Sequence, residues 1–419
     1  MRTKDKNDIE AGETAPRSGS FLNTAFVTVA VLFISLVILA LFLYSGADIP
    51  FFSTVYGNIT NAGGDGGSNG TKTRNGAQVA SAVKSPDVLP DSADMNIPAL
   101  SLEYDFSEGT EFGLFGEYIA ECSRDCFYLY NKDGSEEFRK NVEFSKPALF
   151  KRGDYLLVSD NGGRAAFVMK GVKLIWENAF ASDIVNASIN KGGYAAFVMD
   201  AAGYRSAVKA VAPSGKALFD WVVADDYVLG SEISPSGKGL VINRMKTAGA
   251  GVASSLEFLD MNPEPYLTVD SDDGEAFLCV RYLENNTLAV ATDNMFRIYS
   301  QKGEILAQDQ YDSILAMCEY PENCAALAVM RGNKSVVVVY DAKSPQARDI
   351  YFSDLAAVNM SADNGFLFIN YGNKAAVIDG KGEMTAALNL KAEAQYGAAS
   401  EKVGILVVTK KSADIFIPG

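Results

Sequence analysis

The feature that most constrains the fold is a repeat of paired β-type segments that runs from about residue 118 to the C-terminus. Short runs of β-branched and aromatic residues alternate with turn residues, and no long stretch after residue 99 has the 3.6-residue period of a helix. The period is about 40 residues, which is the length of one propeller blade. A β-helix repeat is much shorter, and separate β-sandwich domains would not keep one period. The sequence therefore predicts an all-β fold, a β-propeller over residues 99–419.

Each unit contains a first run and, a few residues later, a second run. The first runs begin at residues 118, 155, 194, 239, 287, 325, 366 and 404, and the second runs begin at residues 126, 165, 206, 255, 295, 335, 374 and 414. Seven units continue into a further strand, but the eighth ends at DIFIPG. The segment ALSLEYDF (99–106) precedes the first unit and has no other partner, so we expect it to pair with the last run and close the ring. This predicts eight four-stranded blades; the alternative is seven, because the fourth unit (228–275) is the least regular.

Residues 21–45 form an uncharged apolar stretch that predicts one transmembrane helix. At about 1.5 Å per residue it spans roughly 37 Å, enough to cross a hydrocarbon core of about 30 Å with some tilt. Four Lys or Arg residues precede it and none follows Arg17 until Lys72, so the positive-inside rule predicts a cytoplasmic N-terminus. The alternative is a cleaved signal peptide ending near Ser45-Gly46-Ala47, but the apolar stretch is much longer than a signal h-region.

The predicted organisation therefore has four parts. Residues 1–20 form a cytoplasmic tail, residues 21–45 anchor the chain in the cell membrane, residues 46–98 form a flexible extracellular linker, and residues 99–419 form the propeller. The linker is rich in Gly, Asn, Ser and Asp, and it buries too little apolar surface to offset its ordering entropy.

Composition excludes several classes of function. The net charge is −15, and the charges of the first 17 residues cancel, so the acidity lies in the C-terminal part. Such a surface argues against nucleic acid as a partner. The chain has no histidine, which excludes Ser-His-Asp and Cys-His catalysis and His-ligated zinc. Carboxylate pairs and oxygen-ligated calcium remain open. The acidic segment 270–275 lacks the continuation of a calcium-binding loop, which favours a solvated connection between blades.

The five cysteines are an odd number, so they cannot all form intramolecular disulfides. Cys122 and Cys126 flank one turn, and Cys318 and Cys324 flank another. Either pair would close a hairpin in an oxidising compartment. The sequence favours the alternative, in which these are small apolar strand residues.

Two segments carry a family resemblance. MKGVKLIW (169–176) and APSGKALFDW (212–221) resemble the repeats of quinoprotein-type (PQQ-like) propellers, in which a Gly turn leads to a Trp that packs between blades. The order of anchor, linker and degenerate propeller also resembles membrane-anchored propeller proteins of Gram-positive bacteria. The resemblance implies the fold and blade-to-blade packing of Trp176 and Trp221. The remaining units lack the Trp and no complete quinone site is present, so we expect no cofactor.

The loops between first and second runs should all lie on one face of the propeller, and seven of the eight carry cations. These ligand-face candidates are Arg124, Arg164, Arg205, Arg244, Lys246, Arg331, Lys334, Lys374, Lys410 and Lys411. A basic ring on an acidic body would attract an anionic ligand such as a phosphate-bearing wall polymer. The competing interpretation, which the sequence favours, is that neighbouring carboxylates neutralise the ring. The candidates for that role are Asp125, Asp160, Asp200, Asp293 and Asp414.

These observations favour a non-catalytic function. We expect a membrane-anchored extracellular propeller that binds or scaffolds an envelope protein or a cell-envelope polymer. The alternative is an enzyme that uses carboxylates or a metal ion in the central channel. No catalytic, cofactor-binding or metal-ligating residues are assigned from the sequence.

Overall fold

The computed structural model describes residues 97–106, 109–248, 251–262, 264–272, 274–321, 323–363 and 365–418. The predicted cytoplasmic tail, the predicted transmembrane helix and all but the last two residues of the predicted linker lie outside these ranges. Among the residues that are described, no helix has the length and apolar character needed to cross a membrane.

The described residues form eight separate four-stranded antiparallel sheets, which are the predicted blades. Blade 1 contains β2 (Glu111–Phe115), β3 (Tyr118–Cys122), β4 (Cys126–Tyr130) and β5 (Glu136–Asn141). Blade 2 contains β6 (Pro147–Arg152), β7 (Tyr155–Asp160), β8 (Ala165–Lys170) and β9 (Lys173–Ala179). Blade 3 contains β10 (Ile184–Ile189), β11 (Ala195–Met199), β12 (Ser206–Val211) and β13 (Ala217–Val223). Blade 4 contains β14 (Tyr227–Ile233), β15 (Leu240–Ala248), β16 (Gly251–Leu259) and β17 (Leu267–Asp270). Blade 5 contains β18 (Cys279–Tyr282), β19 (Leu288–Ala291), β20 (Met295–Tyr299) and β21 (Ile305–Gln310).

The last three blades follow the same order, with one exception at the end. Blade 6 contains β22 (Ser313–Tyr320), β23 (Cys324–Arg331), β24 (Lys334–Asp341) and β25 (Ser344–Ser353). Blade 7 contains β26 (Asn359–Asp363), β27 (Phe366–Asn370), β28 (Lys374–Ile378) and β29 (Met384–Asn389). Blade 8 contains β30 (Tyr396–Ser400), β31 (Gly404–Val408), β32 (Ser412–Phe416) and the N-terminal β1 (Leu100–Glu103).

The first strand of every blade contacts the first strand of the next blade, and the contacts run through all eight blades back to the start. These first strands therefore surround a central channel. Antiparallel order places two sets of connections on opposite faces. The loop face carries the loops between second and third strands and the connections between blades, whereas the turn face carries the two tight turns of each blade. Backbone hydrogen bonds join neighbours on the loop face, such as Phe144 N–H to the Arg124 carbonyl at 2.8 Å.

Closure of the ring confirms the predicted pairing of the two ends. Leu100 lies opposite Ile415 and Leu102 lies opposite Ala413, so β1 is the fourth strand of blade 8. The eight-blade prediction is confirmed, and the seven-blade alternative is wrong. The fourth unit is irregular because β15 and β16 have nine residues each and extend beyond their neighbours, not because a blade is missing.

Apolar side chains fill the spaces between blades. A separate cluster of buried residues lies at each of the eight blade interfaces. The interface between blades 8 and 1 contains Phe112 and Leu114 from β2 together with Leu406 and Ile415, and Leu100 and Leu102 pack against it. Each sheet thus buries its faces only against its neighbours, because a single four-stranded sheet has no core of its own.

Trp176 packs between blades as the sequence predicts, whereas Trp221 lies at the edge of the next interface. Trp176 belongs to the cluster between blades 2 and 3, and its indole contacts the turn at Gly215 in blade 3. Gly215 has a φ of +83° and its carbonyl accepts a hydrogen bond from Asn178 Nδ2 at 2.9 Å. A methyl group at Gly215 would lie 2.8 Å from Cβ and Cγ of Trp176. Glycine is therefore required there for two reasons, its left-handed backbone and the close approach of the indole.

We expect Gly215→Ala to destabilise the propeller by about 3 kcal/mol, of which the left-handed backbone accounts for about 1 and the clash with Trp176 for about 2. Gly171→Ala is the matched control, because Gly171 also lies in a turn of positive φ (+54°) but has no atom within 4 Å of the added methyl group. Urea denaturation should place Gly171→Ala within about 1 kcal/mol of the wild type. Equal losses for the two variants would contradict the packing role of Trp176.

Candidate functional site

The structure places the ten predicted cations along the loop face, but not all of them in loops. Arg124, Arg164, Arg205, Lys410 and Lys411 lie in loops, whereas Arg244 and Lys246 lie within β15 because that strand continues to Ala248. Arg331 ends β23, Lys334 begins β24 and Lys374 begins β28.

Carboxylates neutralise several of these cations, as the competing interpretation expects, but they are not the predicted ones. Arg164 pairs with Asp183 at 2.7 Å, Arg331 with Asp349 at 2.6 Å, and Lys334 with Asp354 at 3.8 Å. The carboxylates predicted from the sequence do not form these ion pairs. Asp160 accepts the backbone N–H groups of Ser145 and Lys146 at 2.7 and 2.8 Å, for example.

Arg244 is the most enclosed of the ten. Its guanidinium binds both Asp226 and Glu257 and lies 5.7 Å from the centre of the Trp221 ring. Two carboxylates and an aromatic ring hold this side chain in place, so Arg244 stabilises blade 4 and offers no free charge to a ligand.

Six of the ten cations make no ion pair with any residue that the structure describes: Arg124, Arg205, Lys246, Lys374, Lys410 and Lys411. Four of them lie on the consecutive blades 7, 8 and 1. Lys410 and Lys411 also line a groove of about 950 Å³ next to β1 and β32. Carboxylates line the same groove, among them Glu103 and Asp414, so its charge is mixed.

A patch that the sequence did not predict lies on the loop face at blades 3 and 4. The side chains of Tyr204 and Tyr227 are 51% and 42% exposed. Arg205 joins them, because its Nη1 donates to the Tyr227 hydroxyl at 2.7 Å and its guanidinium lies 5.0 Å from the centre of that ring. We call Tyr204, Arg205 and Tyr227 the tyrosine patch. Its only sequence signal is two tyrosines at or beside connections, where polar residues are usual: Tyr204 lies in a loop and Tyr227 begins β14.

A two-stranded ribbon projects from the loop face beside this patch. Beyond Met245, which lies opposite Tyr227, β15 and β16 continue to pair with each other as far as Ala248 and Gly251. No other described strand flanks this extension. Lys246 and Thr247 on the ribbon are exposed. The ribbon gives the loop face a wall next to the tyrosine patch.

The central channel contains charged side chains from blades on opposite sides of the ring. Lys151 of blade 2 pairs with Asp363 of blade 7, and Arg152 of blade 2 pairs with Glu319 of blade 6 at 3.4 Å. Both pairs lie near the turn-face end of the first strands. A third pair joins Arg281 to Glu232 at 2.6 Å. Arg152 is the last residue of β6, and Gly153 and Asp154 form the turn between β6 and β7.

Cysteines also lie in the channel and in the blades. All five lie in the described residues, and no disulfide joins any two of them. Cys122 and Cys126 are buried in blade 1, and burial raises the pKa of the Cys122 thiol. Cys279 and Cys318 lie on neighbouring first strands, and burial raises the pKa of both thiols. Raised pKa values keep such thiols protonated and weakly nucleophilic.

Glu111 lies at the loop-face end of the channel, at the seam between blades 8 and 1. Its Oε2 accepts a hydrogen bond from the Tyr396 hydroxyl at 3.2 Å, and that hydroxyl accepts the Phe112 N–H at 2.9 Å. Burial raises the pKa of Glu111 to about 7, against the opposing effects of Tyr396 and Lys146. Glu111 and Tyr396 thus link the first strands of the two blades that close the ring.

The acidic segment between blades 4 and 5 binds a side chain of the protein itself. Arg297 donates to Glu275 at 2.8 Å and to Asp272 at 3.3 Å. Across the described ranges, no group of three or more Cys, Asp and Glu side chains has the arrangement of a metal site.

Known structures share this fold. The chain is similar to Sqt1 of Saccharomyces cerevisiae, with a TM-score of 0.54, 12% identity, and coverage of 78% of this chain and 100% of that one. It is also similar to Chaetomium thermophilum Sqt1 bound to the N-terminus of the ribosomal protein L10, with a TM-score of 0.52, 13% identity, and coverage of 76% and 98%. At these identities the likeness concerns the fold alone. No curated protein matches the chain.

One family model spans the whole ring. It matches residues 100–415, and these limits are the first residue of β1 and its partner in β32, so the match contains all eight blades and the strand pair that closes them. The chain therefore belongs to the family described as a family of unknown function, DUF5711.

Proposed function

We propose that this chain is a membrane-anchored, non-catalytic binding module whose propeller lies outside the cytoplasm and presents its loop face to a partner protein. The observation that carries the proposal is the tyrosine patch. Residues 21–45 supply the anchor, and the excess of Lys and Arg before them sets the orientation.

The composition of the patch supports a protein partner. Tyrosine and arginine are, with tryptophan, enriched among the residues that dominate the free energy of protein association. Tyrosine buries a large area with only two torsions to fix, and arginine supplies a planar fork of hydrogen-bond donors. The contact of Arg205 with Tyr227 holds both side chains in place before a partner arrives, which lowers the entropy cost of binding. Two exposed tyrosines beside an arginine fit a peptide segment that combines an apolar side chain with a carboxylate.

The fold supports the same choice. A propeller with this architecture, the Chaetomium thermophilum Sqt1, was solved with the N-terminus of a ribosomal protein bound to it. The carboxylate-dependent enzyme considered above draws less support, because Glu232, Glu319 and Asp363 in the channel each pair with a cation. An anionic wall polymer, the other ligand considered above, would use the unpaired cations on blades 7, 8 and 1.

We expect a photoreactive phenylalanine analogue at position 204 of the full-length chain to form one discrete crosslinked adduct in cells. Protease added outside the cells should digest this adduct, because the propeller is proposed to lie outside the cytoplasm. Tyr227→Ala in the same chain should reduce the adduct at least about tenfold, since a tyrosine at the centre of an interface contributes roughly 2 kcal/mol. Tyr266→Ala is the matched control, because Tyr266 is 54% exposed but follows the turn between the third and fourth strands, on the turn face.

Three outcomes count against the proposal. The same adduct from a photoreactive residue at Leu306, on the perimeter of blade 5, would show that capture does not depend on the face. An adduct that is insensitive to Tyr227→Ala would remove the tyrosine patch from the interface. A broad polymeric adduct that depends on Lys410 and Lys411 would replace the protein partner with a wall polymer.

A further inference from the structure

The outer turns of blades 2 and 3 differ in charge from those of the other blades. An outer turn joins the third and fourth strands of a blade on the turn face, and seven blades have one. Taken with one residue on either side, the outer turns of blades 1, 4, 5, 6 and 7 each contain Asp or Glu. Those of blade 2 (170–173, KGVK) and blade 3 (211–217, VAPSGKA) contain lysine and no carboxylate. The proposed function uses neither turn.

These two turns lie side by side and expose apolar side chains together with lysines. The turn of blade 3 packs on β9 of blade 2, where the Gly215 carbonyl accepts a hydrogen bond from Asn178. The apolar side chains at the two turns are 42%, 37% and 43% exposed, and they are Val172, Leu174 and Leu218. The cations beside them are exposed and make no ion pair with any described residue, and they are Lys170, Lys173 and Lys216. We call these six residues the lysine patch.

Positive charge is in excess at this patch. Glu177 and Asp220, the carboxylates of β9 and β13, already pair with Lys140 and Lys209. Asp154, in the inner turn of blade 2, is the one carboxylate that the turns of these two blades contain, so three cations face one anion. The chain as a whole carries a net charge of −15. A cationic edge on an acidic body is drawn to an anionic surface and orients the body there.

The point at which the chain enters the propeller brings the turn face within reach of the membrane. β1 is the fourth strand of blade 8 and runs from the turn face to the loop face, with Leu100 opposite Ile415 at its turn-face end. The chain therefore enters the propeller on the turn face. A Gly-rich coil as long as the predicted linker, residues 46–98, has an r.m.s. reach of roughly 40 Å. Such a tether gives an effective concentration in the millimolar range, so a weak intrinsic affinity is enough for docking.

Lysines mixed with exposed aliphatic side chains fit a lipid surface. Ammonium groups bind headgroup phosphates, while aliphatic side chains enter the boundary between headgroups and acyl chains. We propose that the lysine patch docks the propeller on the anionic lipid surface of the membrane in which the chain is anchored. This inference rests on the membrane anchor of the proposed function. Docking by the turn face directs the loop face, with its tyrosine patch, away from the membrane and towards a partner.

The test inserts the full-length chain into lipid nanodiscs and measures how near each face comes to the lipid. A fluorescent amino acid replaces either Ser214, an exposed residue of the blade 3 turn, or Tyr204 on the loop face, and lipids with spin-labelled headgroups quench it. In discs that contain one half phosphatidylglycerol, we expect strong quenching at position 214 and little at position 204. In discs of phosphatidylcholine alone, quenching at position 214 should fall to the value at position 204.

Charge reversal measures what the lysines contribute. Lys170→Glu, Lys173→Glu and Lys216→Glu together should lower the ratio of docked to undocked propeller by about 100-fold, because each lysine at an anionic surface changes that ratio roughly fivefold. The matched control is Lys302→Glu, Lys343→Glu and Lys381→Glu. These lysines are exposed at or beside the outer turns of blades 5, 6 and 7, and they too make no ion pair with a described residue. The control should dock within about twofold of the wild type at physiological salt, where distant charges are screened.

Three results would overturn the proposal: equal quenching at positions 204 and 214, equal quenching in the two kinds of disc, or an equal loss in the two triple variants. The discs contain no cellular partner, so none of these results bears on capture at the tyrosine patch. Failure of the full-length chain to insert into discs would instead overturn the anchor of the proposed function, and the lipid docking with it.

Discussion

Leu102→Pro is expected to destabilise the propeller by about 4 kcal/mol, because it opens the ring at the strand pair that closes it. The Tyr104 N–H donates to the Lys411 carbonyl at 3.1 Å. Antiparallel pairs alternate along a ladder, so Leu102, two residues away, also directs its N–H to β32, opposite Ala413. Proline removes this donor and leaves the facing carbonyl without a partner, which costs about 1–3 kcal/mol. Loss of the leucine from the interface between blades 8 and 1 adds roughly 1.5–3 kcal/mol.

Ser101→Pro is the matched control for this variant. Ser101 lies one residue earlier in the same strand, so its N–H points away from β32, and its exposed side chain makes one hydrogen bond, to Asp414. Proline is tolerated at such a position on an outer strand, and we expect a loss below about 1 kcal/mol. Chemical denaturation measures the stability of both variants, with the fluorescence of Trp176 and Trp221 in blades 2 and 3 as the signal of unfolding. A wild-type midpoint for Leu102→Pro would mean that β1 contributes nothing to the ring.

The sequence was sufficient to predict the ring because the ring rests on a local pattern. Seven blades are continuous meanders and the eighth lacks only its fourth strand, so a period of about 40 residues and one unclaimed strand at 99–106 define both the number of blades and their closure. The irregular fourth unit did not change the predicted number of blades, but it changed where the strands of blade 4 end. The extension of β15 and β16 beyond β14 places Arg244 and Lys246 in a strand, where the period indicated a loop.

The candidate site was less predictable because its geometry depends on residues far apart in the chain. Lys151 and Asp363 are separated by 212 residues and form an ion pair across the channel, and no local sequence pattern predicts such a pair. The partners of the rim cations show the same limit. Arg164 binds Asp183 in the connection to the next blade, whereas the sequence pointed to carboxylates within the same loops. Exposure of Tyr204 and Tyr227 is likewise a property of the folded surface.

The seam between blades 8 and 1 also carries the largest expected response to pH, through Glu111. The groups facing this carboxyl are the Tyr396 and Tyr104 hydroxyls, the Lys146 ammonium and the Cys122 thiol. Burial raises the pKa of Glu111 from 4.5 to about 7, and burial together with Glu111 raises the pKa of Tyr104 to about 12. Glu111 is therefore protonated in the folded state at a pH where the unfolded chain has already lost that proton.

The sign of the effect follows from proton binding. Between pH 4.5 and about 7 the folded state binds more protons at Glu111 than the unfolded state, so this group's contribution to stability is present below pH 4.5 and is lost as the pH rises through about 7. The loss amounts to about 3 kcal/mol and is complete by roughly pH 8. Glu111→Gln keeps an acceptor for the Tyr396 hydroxyl and removes the charge, so it should remove this part of the pH dependence and leave the variant more stable than the wild type at pH 8.

Urea denaturation of the wild type and of Glu111→Gln at pH 4.5, 6 and 8 measures this difference directly, because the other titrating groups are common to both chains. Glu401→Gln, at an exposed turn of blade 8, is the matched control and should follow the wild type at every pH. A constant difference in stability between Glu111→Gln and the wild type across these values would show that Glu111 is already ionised in the folded protein. In that case the carboxylate would be held at the seam by Lys146 and the Tyr396 hydroxyl, and burial would not set its charge.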